Sequence, residues 1–236
     1  MLKPIAQDLW CIEGEIYMPG KVHFPTRTTV ARLRDGSLWL HSPIPIDEAT
    51  AQQLEALGPV RHLVSPCLFH HLSLGHAKAR FPQARIYAPP GLAQKRPDLV
   101  IDEELGHRVP DAWKDDLDLV WLQGAPRINE FEFFHRPSRS LVVTDLLFHN
   151  TAPKNARTAF VLWLVGALRR LAPSRSWRFF AQDKALLAAS LQRVLAWPIE
   201  RLIVGHGDIV EERAHERTRE ALGWLLAAAP KAVAGA

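Results

Sequence analysis

Four short apolar runs in this chain each stop at a residue able to bind a metal, and this recurrence constrains the fold more than any other feature. They are Ser37–Leu40 before His41, Arg61–Ser65 before His70 and His71, Leu141–Thr144 before Asp145, and Arg201–Gly205 before His206. Apolar runs of this length, bounded by Gly, Pro or polar residues, read as buried strands. In a layered α/β fold the loops leaving such strands gather on one sheet edge, where ligands remote in sequence can meet. The pattern points to one shared metal site.

The remaining signals arrange themselves around these strands. Leu9–Ile16, Thr28–Leu33 and Ser37–Leu40 read as a β-meander, with Asp35-Gly36 as the turn between the last two. Asp47 can cap a helix running to Leu57, stopped by Gly58-Pro59. A strand at Arg61–Val64 follows, then a helical stretch to Arg80 and a short strand at Ala84–Ala88. Residues 92–116, polar and broken by Pro97 and Pro110, read as a loop-rich excursion. Strands return at Asp118–Leu122, Glu130–His135 and Ser140–Thr144. Helices are expected at Ala156–Leu171, Gln182–Trp197 and Glu211–Ala228, with a strand at Arg201–Val204 between the last two. This order fits a sandwich of two mixed β-sheets flanked by helices better than a doubly wound sheet, and residues 1–236 read as one domain.

Composition limits the functional classes. With 236 residues, 47% of them apolar, the chain can bury a substantial core. Its formal charge of +4 comes from basic residues scattered among acids, so no nucleic-acid footprint appears. Cys11 and Cys67 are too few for a disulfide framework, and the first ten residues lack the apolar core of a signal peptide; a reducing cytoplasm is expected. The longest apolar stretch, Ala159–Leu168, is too short to cross a bilayer, which needs about 20 residues.

The stretch Ser65-Pro66-Cys67-Leu68-Phe69-His70-His71 resembles the Thr-His-x-His-x-Asp-His signature of the metallo-β-lactamase superfamily. That family is a four-layer αββα sandwich of metal-dependent hydrolases. Leu141–Asp145 resembles its strand ending in the metal-bridging aspartate, and Gly205-His206-Gly207 its closing Gly-His. The likeness is to a divergent branch in which His41-Ser42-Pro43 stands where others carry Asp-Thr-Gly. Pro66 and Leu68 stand at two histidine positions of the first metal site, and Gln123–Arg127 supplies no histidine for the third. The resemblance therefore implies a single divalent ion held by His71, Asp145 and His206, with His70 in the family's aspartate position as a further ligand or a proton carrier. Two histidines and one carboxylate suit zinc first, and also non-haem Fe(II).

Structural readings stand beside these. Adjacent side chains in extended backbone point opposite ways, so His70 and His71 cannot both face inward there. Asp145 could cap a helix, and the glycines beside His206 could simply make a turn. His41 is expected either to orient a ligand for catalysis or to pack against Pro43 and Pro45. Glu130 and His135 read as structural, paired with Arg136 or Arg139; His149 could line the pocket, and Cys67 reads as a buried, inert thiol. Residues 160–178, apolar and then arginine-rich, read as a packed helix, a lid, or a peripheral membrane contact.

The function expected from all this is metal-dependent hydrolysis of a small-molecule substrate, with an anionic one suggested by the arginines. A mononuclear iron oxidoreductase and a non-catalytic binding protein, the latter using Arg127, Arg169 and Arg175 for an anion, are the alternatives.

Overall fold

The computed structural model describes residues 1–227. Two mixed sheets face each other. The first has seven strands in sequential order: β1 (Leu2–Ala6), β2 (Leu9–Met18), β3 (Val22–Arg32), β4 (Leu38–His41), β5 (Val60–Val64), β6 (Arg85–Ala88) and β7 (Glu103–Glu104). β1 to β4 pair antiparallel; β4 to β7 pair parallel, as the intervening helices α1 (Glu48–Leu57), α2 (Leu74–Arg80) and α3 (Leu92–Lys95) require. The second sheet runs β11 (Arg201–Gly207), β10 (Ser140–His149), β9 (Phe131–His135), β8 (Leu117–Trp121), and only β10 and β11 pair parallel. Helices α4 (Ala156–Leu164), α5 (Trp177–Phe180) and α6 (Lys184–Leu195) fall between β10 and β11, and α7 (Ala214–Ala227) follows. The expected sandwich is the one formed.

Local chemistry explains the boundaries. Asp47 caps α1 by accepting from Thr50 N at 2.8 Å, and Asp183 caps α6 by accepting from Ala185 N and Leu186 N, both at 3.0 Å. The helix expected over 156–171 stops at Leu164, because Gly166 turns the chain with φ +78°. Residues 167–176 return instead as irregular chain, tied to β10 by bridges of Phe148 with Ala172 and Asn150 with Leu168. The last residue of the expected final helix, Ala228, lies outside the described residues. No helix among the described residues is long and apolar enough to cross a membrane.

Between the sheets lies an aromatic layer. Trp39 packs at 5.2 Å from Phe133 and 5.8 Å from Trp113, and Tyr87 meets Trp113 edge-on at 4.9 Å. Trp113 is only 1% exposed. The polar excursion of 92–116 thus has a structural purpose: it delivers a tryptophan to the centre of the core. His41, expected near the chemistry, belongs to this layer as well, 1% exposed and stacked on Trp39 at 5.3 Å. Burial holds it neutral, with its pKa down at about 3.

Outside the second sheet, Leu187, Leu191 and Val194 of α6 and Leu222 of α7 cover Phe134, Leu141 and Val143. Two carboxyl groups are buried in this sheet as well, Glu130 just before β9 and Glu132 within it, both fully inaccessible. Burial, then the nearby charges of Glu130 and Asp145, pushes the Glu132 carboxyl far up. A carboxyl whose pKa is raised on folding contributes most at low pH and costs stability as pH rises above its unfolded value near 4.3. Glu132→Gln, always uncharged, should therefore be more stable than wild type at pH 7. Its advantage should shrink by about 1.4 kcal/mol per pH unit as pH is lowered toward 4.5. Urea midpoints for both proteins across this range check it; an advantage independent of pH would contradict it.

Candidate metal centre

Asp145 sits where β10 breaks register against β11. The pairing is regular through Val143 with Val204 and resumes at Phe148 with His206, leaving residues 144–147 as a bulge. A bulge strands backbone amides, and buried amides need acceptors. Glu130 supplies one: its Oε1 accepts from Thr144 N at 3.1 Å, Asp145 N at 2.8 Å, Leu146 N at 3.1 Å and Thr144 Oγ1 at 2.6 Å. Trp177 Nε1 donates to Asp145 O at 2.9 Å. The aspartate's backbone is thereby fixed from both sides, and its carboxylate is aimed at the sheet edge.

Two imidazoles meet it there. His70 Nε2 lies 3.5 Å from Asp145 Oδ2, His206 Nε2 lies 3.5 Å from Asp145 Oδ1, and the two Nε2 atoms are 3.1 Å apart. Each ring is tethered through its other nitrogen. His206 Nδ1 donates to Pro25 O at 2.8 Å, and His70 Nδ1 lies 2.6 Å from Ser42 Oγ. With Nδ1 of His206 donating to Pro25 O, its Nε2 turns a lone pair toward the carboxylate, and His70 Nε2 faces the same point. Such a convergence needs a proton or a cation at its centre. Despite burial, which pulls the other way, the His70 and His206 imidazoles hold the Asp145 carboxyl well below the usual range.

The spacing fits a metal. Donors on a tetrahedral ion with bonds of about 2.0–2.2 Å lie roughly 3.3–3.6 Å apart; here the two Nε2 atoms are 3.1 Å apart and each lies 3.5 Å from its own oxygen of Asp145, Oδ2 for His70 and Oδ1 for His206. From beneath, Cys67 Sγ lies 3.5 Å from Asp145 Oδ2, so that Cys67, His70 and Asp145 form a compact group of metal-binding types. Burial, and after it the Asp145 and Glu130 charges, pushes the Cys67 thiol well up, which suits a neutral S–H donating to the carboxylate.

The centre opens on a cleft of about 700 Å³ whose lining includes His70, Asp145 and His206. Ile16, Phe24, Ile44, Phe69, Leu72 and Phe148 make it largely apolar, and its lining contains no Lys or Arg. Phe148 also stacks on the His206 ring at 5.0 Å.

The structure brings together three of the four expected ligands. Asp145, His206 and His70 come together, whereas His71, the next residue of the same turn, faces Arg96. Its Nδ1 accepts from Arg96 Nη1 at 3.0 Å, and burial, then Lys95 and Arg96, lowers its pKa. His149 also leaves the cleft, its Nδ1 donating to Asp208 O at 2.9 Å. Glu130 is structural as expected, but its partner is the bulge; Arg136 pairs with Asp118 and Arg139 with Glu200. His135 likewise has Ser138 Oγ, at 2.7 Å from Nδ1, as its partner.

Ser42 and Cys67 were the members that sequence reasoning did not assign to the site. A signal for Ser42 lay inside the His41-Ser42-Pro43 run. Ser42 adopts φ +54°, uncommon for a residue with a Cβ, and so carries local strain that turns its hydroxyl onto His70. At the other ring, Gly207 takes φ +124°, and a Cβ there would stand 2.1 Å from His149 O. Only glycine allows the close passage of β11 past β10 that delivers His206.

This geometry separates strain from function. Ser42→Gly should relieve the backbone while removing the hydroxyl, so thermal stability should hold or rise as affinity for a divalent ion falls about tenfold or more. Ser42→Ala should lose the same affinity without the stability gain. Unchanged metal affinity in both variants, measured by competition with a chromophoric chelator, would remove Ser42 from the site.

Comparison with known proteins agrees with the architecture. The family model described as a domain of unknown function, DUF4336, matches residues 6–160, and the chain belongs to that family. No curated protein matches the sequence. Among solved structures, the chain is similar to a metallo-beta-lactamase from Pontibacter korlensis, at TM-score 0.64 and 13% identity over 94% of this chain and 98% of that one. It is similar to the FIM-1 metallo-beta-lactamase from Pseudomonas aeruginosa in its mono-zinc form, at TM-score 0.60 and 14% identity over 95% of each chain. It is also similar to the metal-soaked Flv1 flavodiiron core from Synechocystis sp. PCC6803, at TM-score 0.65 and 15% identity over 95% of this chain and 60% of that one. The fold is that of the metallo-β-lactamases.

Proposed function

We propose that this protein is a mononuclear metal-dependent hydrolase whose ion is held by His70 Nε2, His206 Nε2 and the carboxylate of Asp145. The observation that carries the reading is that the two Nε2 atoms lie 3.1 Å apart and each 3.5 Å from one of the two Asp145 oxygens, both rings tethered through Nδ1, in the lining of one cleft. Three protein donors facing a cleft are the arrangement of catalytic rather than structural zinc. A divalent ion in this position would supply Lewis acidity toward a carbonyl or phosphoryl oxygen and lower the pKa of water.

The chain's own residues set the rest. Pro25 O and Ser42 Oγ orient the two rings, Glu130 and Trp177 fix Asp145, and Cys67 donates to Oδ2, the oxygen that also faces His70. The cleft offers apolar walls with the carboxylates of Glu13 and Glu15 among them, and no cation in its lining. This favours a substrate with an uncharged, apolar body over the anionic one suggested by the arginines alone. Two free buried thiols suit a reducing, cytoplasmic setting.

The same donor set, two imidazoles and one carboxylate, also suits Fe(II) with open positions, which is the observation favouring an iron oxidoreductase as the second reading. Elemental analysis of protein purified without added metal separates the two. We expect about one equivalent of zinc per chain, lost in His206→Ala and Asp145→Asn, and metal-dependent hydrolysis of an aryl ester with a medium-length acyl chain. Iron in place of zinc, with visible absorption and no hydrolysis, would favour the second reading. Folded protein that retains its metal in both variants would contradict both.

A further inference from the structure

Adjacent residues of β10 point to opposite sides. Phe148 lines the cleft over the candidate metal centre, whereas His149 lines a second cleft of about 730 Å³. Five arginines surround this second cleft: Arg169, Arg170, Arg175, Arg178 and Arg217. Glu220 is the one acid in its lining. Five arginines against one glutamate leave the lining at +4, as much as the formal surplus of the whole chain.

Many arginines elsewhere are compensated, and those that are not, such as Arg61, Arg108 and Arg193, are not gathered around one cleft. Arg32 pairs with Asp8, Arg80 with Glu48 and Glu55, Arg96 with Asp98, and Arg201 with Glu211. Among the described residues the five cleft arginines form no ion pair, and Glu220 has Arg213, outside the lining, 4.0 Å away.

The guanidinium groups are nevertheless held in place, by neutral partners. Arg170 Nε donates to Gly166 O at 2.7 Å and Arg175 Nη1 to Leu164 O at 3.1 Å. Arg178 lies 5.5 Å over the Trp224 ring. Arg217 Nη2 donates to Nε2 of His149 at 3.2 Å, and this buried ring is itself fixed through Nδ1 to Asp208 O. Such anchors orient a guanidinium without neutralising it. Mutual repulsion of like charges is the cost, and an anion in the cleft offsets it. Planar guanidinium forks match the oxygens of phosphate, and a dianion answers several of them at once. Leu171, Ala221 and Trp224 add an apolar wall for an organic portion.

We propose that this cleft is a binding site for a phosphate-bearing ligand with two or more negative charges, distinct from the metal centre. Phosphate of this kind can arrive on a soluble metabolite or on a lipid headgroup. The second source draws on Phe179, 75% exposed beside Arg178, and on Trp163 and Leu164, 59% and 55% exposed near Arg175.

The test uses the full chain and two probes. Fructose 1,6-bisphosphate is titrated calorimetrically at low and high salt, and co-sedimentation is measured with phosphatidylcholine vesicles made with and without phosphatidic acid. Saturable binding of the bisphosphate, weakened roughly tenfold or more in Arg217→Gln and in the exposed variant Arg178→Gln, supports the site with a soluble ligand. Binding only to vesicles with phosphatidic acid, reduced by the same variants and by Phe179→Ser, supports it with a lipid source. Absence of binding to either probe overturns the proposal. So does binding that survives both arginine variants, or that is lost in Asp145→Asn alone, which would place the phosphate at the metal centre. Unaltered thermal unfolding of each variant keeps these outcomes separate from misfolding.

Discussion

One carboxylate oxygen organises the chemistry of this fold. Glu130 Oε1 accepts three backbone amides and a hydroxyl from residues 144–146, where β10 leaves its ladder with β11. Without an acceptor those amides would be buried and unpaired, each at a cost of roughly 1–3 kcal/mol, enough to close the bulge or unravel it. With Glu130 in place the bulge persists, and Asp145 points out of the sheet rather than along it. Burial, and next to it the Asp145 charge, pushes the Glu130 carboxyl up to about 7. The group that steadies the Asp145 carboxylate is thus coupled electrostatically to it.

The other donors depend on similar economies of backbone. His206 reaches the site because Gly207 lets β11 pass within a Cβ's breadth of His149 O. His70 reaches it from a loop, and its ring is held by a hydroxyl presented from a left-handed serine. Donors from three separate segments therefore meet by backbone geometry rather than by local spacing. The two clefts on either side of β10 differ in chemistry, one largely apolar around His70, Asp145 and His206 and one lined by arginines.

Much of this was legible in the sequence, and the exceptions are instructive. Strand patterning located the sheets, and the residues ending the second, third and fourth apolar runs lead to the site. The first run misled: β4 ends in His41, but strand alternation turns that ring into the aromatic layer and leaves Ser42 to face His70. Between His70 and His71 the motif put His71 first, whereas it is His70 that meets Asp145 and His206, because side-chain direction in a turn follows φ and ψ, not position in a pattern. Glu130 and Cys67 were invisible as site residues, since their roles depend on a bulge and on burial that no local run encodes. The helix expected to 171 broke at Gly166, and that break is what frees Arg169 and Arg170 to line the second cleft.

The claim on which the account rests is that one ion sits among His70, Asp145 and His206. Crystals of the protein grown with zinc, and measured on both sides of the zinc absorption edge, test it most directly. The account requires one strong anomalous peak about 2.0–2.2 Å from His70 Nε2, His206 Nε2 and an Asp145 carboxylate oxygen. A peak beside His71 instead, or none within bonding distance of those three atoms, would contradict it.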